Sequence, residues 1–484
     1  MSAGRRPADE VAGLDATAQA ELVQAGEVTA VELVDWAIER IERLNPQLNA
    51  VTTTVFERAR EEARRRPAGP FAGVPYLLKD LLAEDAGVAL TAGSAFLRDY
   101  VSDHTSVLVE RLRAAGLVIL GKTNTPEFGM SPTTEPLLHG ATRNPWDPDR
   151  STSGSSGGSA AAVASGMVPF AHGSDLSGSL RFPASACGLF GFKPTRGRNP
   201  LAPAYGDMVG GWVSEHALTV SVRDSAALLD ATAGSALGDP YPAPAPAGSF
   251  LTEVRTDPGR LRIGFTTKTP AGVPGHPHTV AALEYTVALL EGLGHDLVEA
   301  ELPGLGGATG DAINAVFGAT AGWIIGRYVR KLGREPGPDD LEPVTRIFWD
   351  AGRGVSAGDY LLAVEHLQGV AREMARFMET VDVWLTPTMS EPPAPLGEIS
   401  PTPDDPMRGL ERGGRTVAYP AIAANITGNP AMSLPLWWNP EGLPIGVHAL
   451  GRFGADATLF RLAGQVERAR PWAGRRPMLH ASNG

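Results

Sequence analysis

A single cysteine, Cys187, stands among the 484 residues. One thiol leaves no internal disulfide and no multi-cysteine zinc site. Long apolar runs are missing too: Ala160–Ala164 is typical, against the ~20 residues that a membrane-spanning helix needs. No apolar core follows Arg5 and Arg6 within residues 1–14, so no secretory signal is readable. Positive charge is in deficit. The net charge of −12 argues against the basic patch of a nucleic-acid binder. The ten histidines show no H-E-x-x-H or comparable metal spacing, and His276 and His278, beside Pro277, read as a surface loop. What these absences leave is an acidic, cytoplasmic protein with no metal, no nucleic-acid partner and no membrane partner. At 43% hydrophobic and 20% charged residues, it has the balance of a globular chain with a large core.

Lysine is the other scarce residue. Lys79, Lys122, Lys193, Lys268 and Lys331 are the only five among 42 lysines and arginines. Where charge alone is needed this chain uses arginine, so a retained lysine is a candidate for what arginine cannot do, which is lose its proton. Lys79, Lys122 and Lys193 fall in the part of the chain richest in motifs.

Apolar positions recur at helical spacing over residues 15–45, and residues 53–66, rich in arginine and glutamate, read as a solvated helix. Val74–Leu78 is a short buried strand that delivers Lys79 at its end. A helix over 108–115, stopped by Gly116, leads to a second buried strand over 117–120. Residues 121–149 are loop-rich. A small-residue helix over 160–165 precedes a strand over 167–171. Ser221 opens a helix through Ala231 with a capping box. Residues 238–258, rich in proline and glycine, are the best linker candidate. Further strands are expected over 261–265, 381–385, 433–438 and 445–450, and helices over 278–293 and 305–378. Strands alternating with helices point to an α/β fold with a largely parallel sheet.

Two motifs match in letters but not in context. Gly116-Leu-Val-Ile-Leu-Gly121-Lys122-Thr123 fits the phosphate loop. That loop needs flexible spacers between a strand and a helix, and here the spacers are the strand itself, with Pro126 close behind. Gly154-Ser155-Ser156-Gly157-Gly158 fits the nucleophile elbow with Ser156 as nucleophile. The elbow needs a central strand immediately before it, which residues 144–150, with Pro145 and Pro148, do not supply. His172 and Asp175 as partners would also reverse that fold's order.

The stretch from Ser151 to Gly197 carries more. It reads Ser151-Thr-Ser-Gly-Ser-Ser-Gly-Gly-Ser159, a small-residue helix, His172-Gly-Ser-Asp-Leu-Ser-Gly-Ser179-Leu-Arg181-Phe-Pro-Ala184, and Cys187-Gly-Leu-Phe-Gly-Phe-Lys193-Pro-Thr-Arg-Gly197. Such Ser/Gly clusters taken alone also fit a flexible linker. Ser155 and Ser179 lie 24 residues apart, room for a short helix and a short strand, so the chain can leave a loop and return to the same edge.

These segments resemble the amidase signature family. The likeness extends to Gly73-Val-Pro-Tyr-Leu-Leu-Lys79-Asp80, Gly121-Lys-Thr-Asn-Thr-Pro-Glu127, Asn425-Ile-Thr-Gly-Asn-Pro-Ala-Met-Ser433 and Gly442-Leu-Pro-Ile-Gly-Val447. It spans about residues 20 to 470 and is weaker over 200–420. The resemblance implies a single domain over 1–484, an α/β/α sandwich around a large mixed sheet with helices on both faces, and a helical insertion over 305–378 near the substrate site. It implies a cofactor-free amidase with a Ser-Ser-Lys triad: Lys79 as base, Ser155 on a cis peptide as relay, Ser179 as nucleophile. A lysine can serve only if burial and the lack of a carboxylate partner lower its pKa well below ~10.4. Asp80 is the obvious threat, and strand alternation points it away from Lys79.

The oxyanion hole so implied comprises the backbone N–H groups of Leu176, Ser177, Gly178 and Ser179. Many members have Gly-Gly before the nucleophile, whereas this chain has Ser177-Gly178. A positive φ at 177 would disfavour serine. Ser156 and Asp175 have supporting roles, Asp175 by holding the nucleophile turn. Arg181 is either a turn clamp or a carboxylate binder. Met130 and Phe182 are pocket candidates, Lys122 and Lys193 structural, and Cys187 core. The expected partner is a small, uncharged, apolar amide (a lactam, nylon-type oligomer, anilide or carbamate), with a homodimer left open. Two alternatives stand: a glutamine-hydrolysing subunit of an aminoacyl-tRNA amidotransferase, which usually carries Gln where Phe182 sits, and a non-catalytic binding protein on the same fold.

Overall fold

The computed structural model describes residues 8–402 and 404–483, so the stretch with Arg5 and Arg6 lies outside the described residues. Among the described residues the strands are, in chain order, β1 (Val51–Thr54), β2 (Pro75–Lys79), β3 (Val118–Thr123), β4 (Arg143–Asn144), β5 (Asp147–Ser151), β6 (Phe170–Asp175) and β7 (Phe190–Lys193). There follow β8 (Ser214–Thr219), β9 (Arg262–Phe265), β10 (Asp296–Glu299), β11 (Val383–Pro387), β12 (Ala431–Trp438) and β13 (Pro444–Gly451). Eleven of them form one sheet in the order β1-β3-β2-β6-β8-β7-β12-β13-β11-β9-β10, and β4 and β5 pair as a separate ribbon.

The sheet is mixed, which corrects the largely parallel one expected from the alternation of elements. β2 is parallel to β3 and β6, and β9 is parallel to β10 and β11. The remaining neighbours are antiparallel. β12 and β13 are joined by the turn at residues 439–442, and a tight turn can only return the chain antiparallel. The strands β1, β4, β5, β7, β8 and β10 were not expected. The segment 53–66 divides into β1, rich in β-branched threonine, and a helix over Phe56–Arg64. Residues 15–45 hold two helices, Ala16–Gln24 and Ala30–Leu48, separated at Thr29, which forms a capping box with Glu32.

Side chains alternate across the strands and find helices on each side. Leu77, Val118, Ala171 and Leu218 pack with the helices Ala30–Leu48, Gly157–Ala164 and Arg181–Cys187. Tyr76, Leu78, Ile119, Phe170 and Ala217 pack with Val107–Ala114 and Val222–Thr232. This is an α/β/α arrangement. The helices Gly307–Leu332, Pro343–Gly354 and Ala357–Met378 occupy the segment expected to be helical, and residues 238–249 run without regular structure. No helix among the described residues is long and apolar enough to cross a membrane.

β3 runs straight through Gly121-Lys122-Thr123, so no phosphate loop exists there. Tyr76 pairs with Ile119 but Leu77 pairs with Gly121. The extra residue turns Lys122 to the face opposite Lys79, where its amine donates to the Ala83 carbonyl. Gly121 is needed at this point because a Cβ would lie 2.1 Å from the Thr53 oxygen.

Candidate active site

Lys79 ends β2 with its side chain fully buried. Its Nζ donates to Ser155 Oγ at 2.7 Å, Ser156 Oγ at 3.0 Å and Ser174 Oγ at 3.0 Å. Among the described residues no carboxylate pairs with it. Asp80 lies on the other side of the strand, accepting from the Thr91 N–H at 3.1 Å and from the Thr91 hydroxyl. Burial pushes the Lys79 amine down to about 7, against a smaller upward pull from Asp175 and Glu215. Such an amine loses its proton near neutrality. Lys193 is buried as well, but its amine donates to the Pro194 carbonyl at 2.8 Å and to Ser214 Oγ at 3.4 Å. It does not line the cavity described below. Cys187 lies in the core.

The peptide Gly154–Ser155 is cis. Ser155 stands just ahead of the helix Gly157–Ala164 and lines a cavity of about 320 Å³ together with Ser174, Leu176, Ser177 and Ser179. Ser155 and Ser179, one from each serine cluster, thus line the same cavity. Ser156 is fully buried and donates to the Ser174 carbonyl at 3.3 Å. β5 does precede it, but as half of the two-stranded ribbon and not as a central strand, so the elbow geometry is absent.

The turn carrying Ser179 is held by Asp175 and Arg181. Asp175 Oδ1 accepts from the Gly178 N–H at 2.8 Å and Oδ2 from the Leu180 N–H at 3.1 Å. Arg181 is fully buried and commits all five donors. Nε and Nη2 reach Asp175 at 3.0 and 2.8 Å, and Nη2 also reaches Asn425 Oδ1 at 2.7 Å. Nη1 reaches the Ala421 carbonyl at 2.6 Å and His448 Nε2 at 2.9 Å. No donor is left for a substrate carboxylate, so of its two readings the geometry matches the clamp. Burial alone would raise the Asp175 carboxyl, but the Arg181 charge and the hydrogen bonds outweigh it and hold the group well below the usual carboxylate range.

One of the four amides expected in the oxyanion hole is therefore already used: Gly178 gives its N–H to Asp175. The N–H groups of Leu176, Ser177 and Ser179 have no partner among the described residues. The positive φ of this turn, 139°, falls at Gly178 and not at Ser177, which explains why serine is accepted at 177. Gly178 is also where a Cβ would lie 2.3 Å from the Phe182 ring. We expect Gly178→Ala to lower kcat by about 10²–10³-fold, the usual effect of displacing an oxyanion donor, with an unchanged circular dichroism spectrum. Wild-type turnover in that variant would show that the turn does not shape the reaction.

Met130 and Phe182 both line the cavity, with Tyr205, Phe317, Ile324 and Phe348. The charged side chains among the described lining residues are Glu127, Glu135 and Glu342, with no lysine, arginine or histidine. Burial, with Glu127 beside it, pushes the Glu342 carboxyl up to about 7. Sequence reading missed Ser174, the third hydroxyl on Lys79, and the clamp residues Asn425 and His448. No spacing ties residue 181 to positions more than 240 residues away. The only available signal was that Asn425 opens a family-like segment.

The Amidase family model matches residues 32–460. 6-Aminohexanoate-cyclic-dimer hydrolase of Paenarthrobacter ureafaciens is 39% identical over 476 residues, covering 96% of this chain and 96% of that protein. The solved structure of 6-aminohexanoate cyclic dimer hydrolase complexed with substrate superposes with a TM-score of 0.93 at 38% identity, covering 97% of this chain and 99% of that one. A bacterial aryl acylamidase of the amidase signature family superposes at 0.85, with 27% identity and coverage of 96% and 99%. Sequence, sheet and site agree: the chain belongs to the amidase signature family and is an amidase, a hydrolase of amide bonds.

Proposed function

We propose that the chain hydrolyses an uncharged, apolar carboxamide, linear or cyclic, through an acyl-enzyme on Ser179, within one domain whose 305–378 helices are an insertion over the cavity. The observation that carries this reading is the Lys79 amine, buried without a carboxylate and 2.7 Å from Ser155 Oγ, beside a cavity that Ser179 shares. Neutral Lys79 takes the Ser155 hydroxyl proton while Ser155 takes that of Ser179. Ser179 Oγ bonds to the carbonyl carbon, and the oxygen becomes an oxyanion facing the amides of Leu176, Ser177 and Ser179. The C–N bond breaks as Ser155 hands its proton to the departing nitrogen and regains one from Lys79. Water then attacks the ester by the same relay and releases the acid.

The cavity wall speaks for a neutral substrate. Glutamine would bring its own carboxylate against a wall that holds Glu127, Glu135 and Glu342 and no lysine, arginine or histidine, leaving that charge unpaired in a partly desolvated site. A neutral cyclic amide, such as the cyclic dimer for which the related hydrolase is named, needs no such partner. Purified protein is to be screened against primary amides, anilides, cyclic amide dimers, carbamates and glutamine. The expected result is turnover of neutral apolar amides and none of glutamine. Preferential turnover of glutamine would restore the amidotransferase reading, and binding without any turnover would favour the non-catalytic one.

A further inference from the structure

We propose that His172 and Glu215, buried beneath the strand that ends in Lys79, are positioning residues for this base: His172 fixes its backbone and Glu215 tunes its readiness to take a proton. The inference rests on Lys79 being the base. His172 lies on β6 and Glu215 on β8, where Glu215 pairs with Ser174 in register. Both are almost fully buried, 1% and 2% exposed. The Lys79 N–H donates to His172 Nδ1 at 3.3 Å, so the ring's remaining proton sits on Nε2, in close contact with Glu215 Oε1 at 3.1 Å but short of hydrogen-bond alignment. Burial holds this imidazole below its ordinary range, hence neutral.

The charge balance gives the pair its purpose. The charged groups that act on the Lys79 amine are Asp175 and Glu215. The Asp175 charge is matched at close range by Arg181. Among the described residues Glu215 has only neutral His172 within ion-pair distance; Lys122, on the same far side as Asp80, acts on both His172 and Glu215 from farther off. The helix side of Lys79 offers hydroxyls alone, Ser155 and Ser156. Glu215 is therefore the anion acting on the base that has no cation in ion-pair contact, whereas Asp175 has Arg181. Burial without it would leave a lysine too acidic to hold a proton in mid-reaction, and a base works best when poised near the operating pH.

The test is the pH dependence of kcat/KM on a neutral anilide in the wild type, Glu215→Gln, Glu215→Asp and His172→Gln. Glu215→Gln should move the acid limb down by roughly half a unit to one unit and lower the plateau kcat, with KM within about twofold. Glu215→Asp, which keeps the charge, should leave the limb in place. His172→Gln, which keeps an acceptor for the Lys79 N–H but not the link to Glu215, should lower kcat at least about tenfold without shifting KM. An unmoved limb in folded Glu215→Gln, or equal shifts in the Gln and Asp variants, overturns the proposal. If Glu215→Gln does not fold, an unchanged kcat in His172→Gln overturns it instead. A wild type with no acid limb would refute the base itself, a separate outcome.

Discussion

Ser179→Ala is expected to abolish amide turnover, by about 10⁴–10⁶-fold, the range in which removal of a nucleophile leaves only binding and electrostatic catalysis. The fold should survive. Ser179 is small, the structure gives its hydroxyl no hydrogen bond among the described residues, and its turn is held by the Asp175 carboxylate and Arg181. A slow carbamate or ester should leave a mass increment on the peptide containing Ser179, and the alanine variant should show none. An adduct on Ser156 would put the chemistry at the nucleophile elbow after all. That outcome is hard to reach physically, because Ser156 is fully buried behind Lys79.

Lys79→Arg is expected to be as inactive as Lys79→Ala, a loss of at least about 10³-fold. The two variants separate two roles. If Lys79 merely supplied positive charge, arginine would retain substantial activity. If it must accept a proton, arginine fails because the guanidinium stays protonated throughout the accessible range. The surroundings favour the second role: three hydroxyls and no carboxylate hold the amine, and burial brings it to about 7. The sign of the pH dependence follows. Below about 7 the amine is protonated and cannot accept, so the rate should fall about tenfold for each unit of acidification. Above it the free amine dominates and the rate should level off. A profile that declines as pH rises through neutrality would contradict the assignment.

Much of this site was legible because its chemistry is local in the chain. Lys79 ends a five-residue apolar strand, and strand alternation alone turned Asp80 away from it. Ser155 and Ser179 sit in two Ser/Gly clusters separated by one helix and one strand, so their sharing one cavity needed no long-range information. The failures have the opposite character. β7 and β8 are short and fully buried, and Phe190–Lys193 and Ser214–Thr219 lack a clean alternation of apolar and polar residues. Their antiparallel pairing, which makes the sheet mixed, depends on neighbours far along the chain. Ser177 looked like a defect in the oxyanion turn because sequence does not say which residue takes the positive φ, and the backbone places it at Gly178. Asn425 and His448 were invisible as functional partners, since their importance comes only from meeting Arg181.

That meeting has a consequence for the life of the polypeptide. The clamp on the nucleophile turn joins Arg181 to partners 240, 244 and 267 residues downstream. A chain emerging from the ribosome exposes both Ser/Gly clusters long before Ala421, Asn425 and His448 have been made. Until then Arg181 has Asp175 but not the acceptors that use its remaining donors, and a buried donor without a partner is destabilising by roughly 1–3 kcal/mol. The nucleophile turn therefore has its full set of hydrogen bonds only once Ala421, Asn425 and His448 have joined it. Contacts of such sequence separation form slowly, and a nascent or carboxy-terminally nicked chain is expected to hold Lys79, Ser155 and Ser179 while the clamp on Arg181 is incomplete, so that amide cleavage would await completion of the polypeptide.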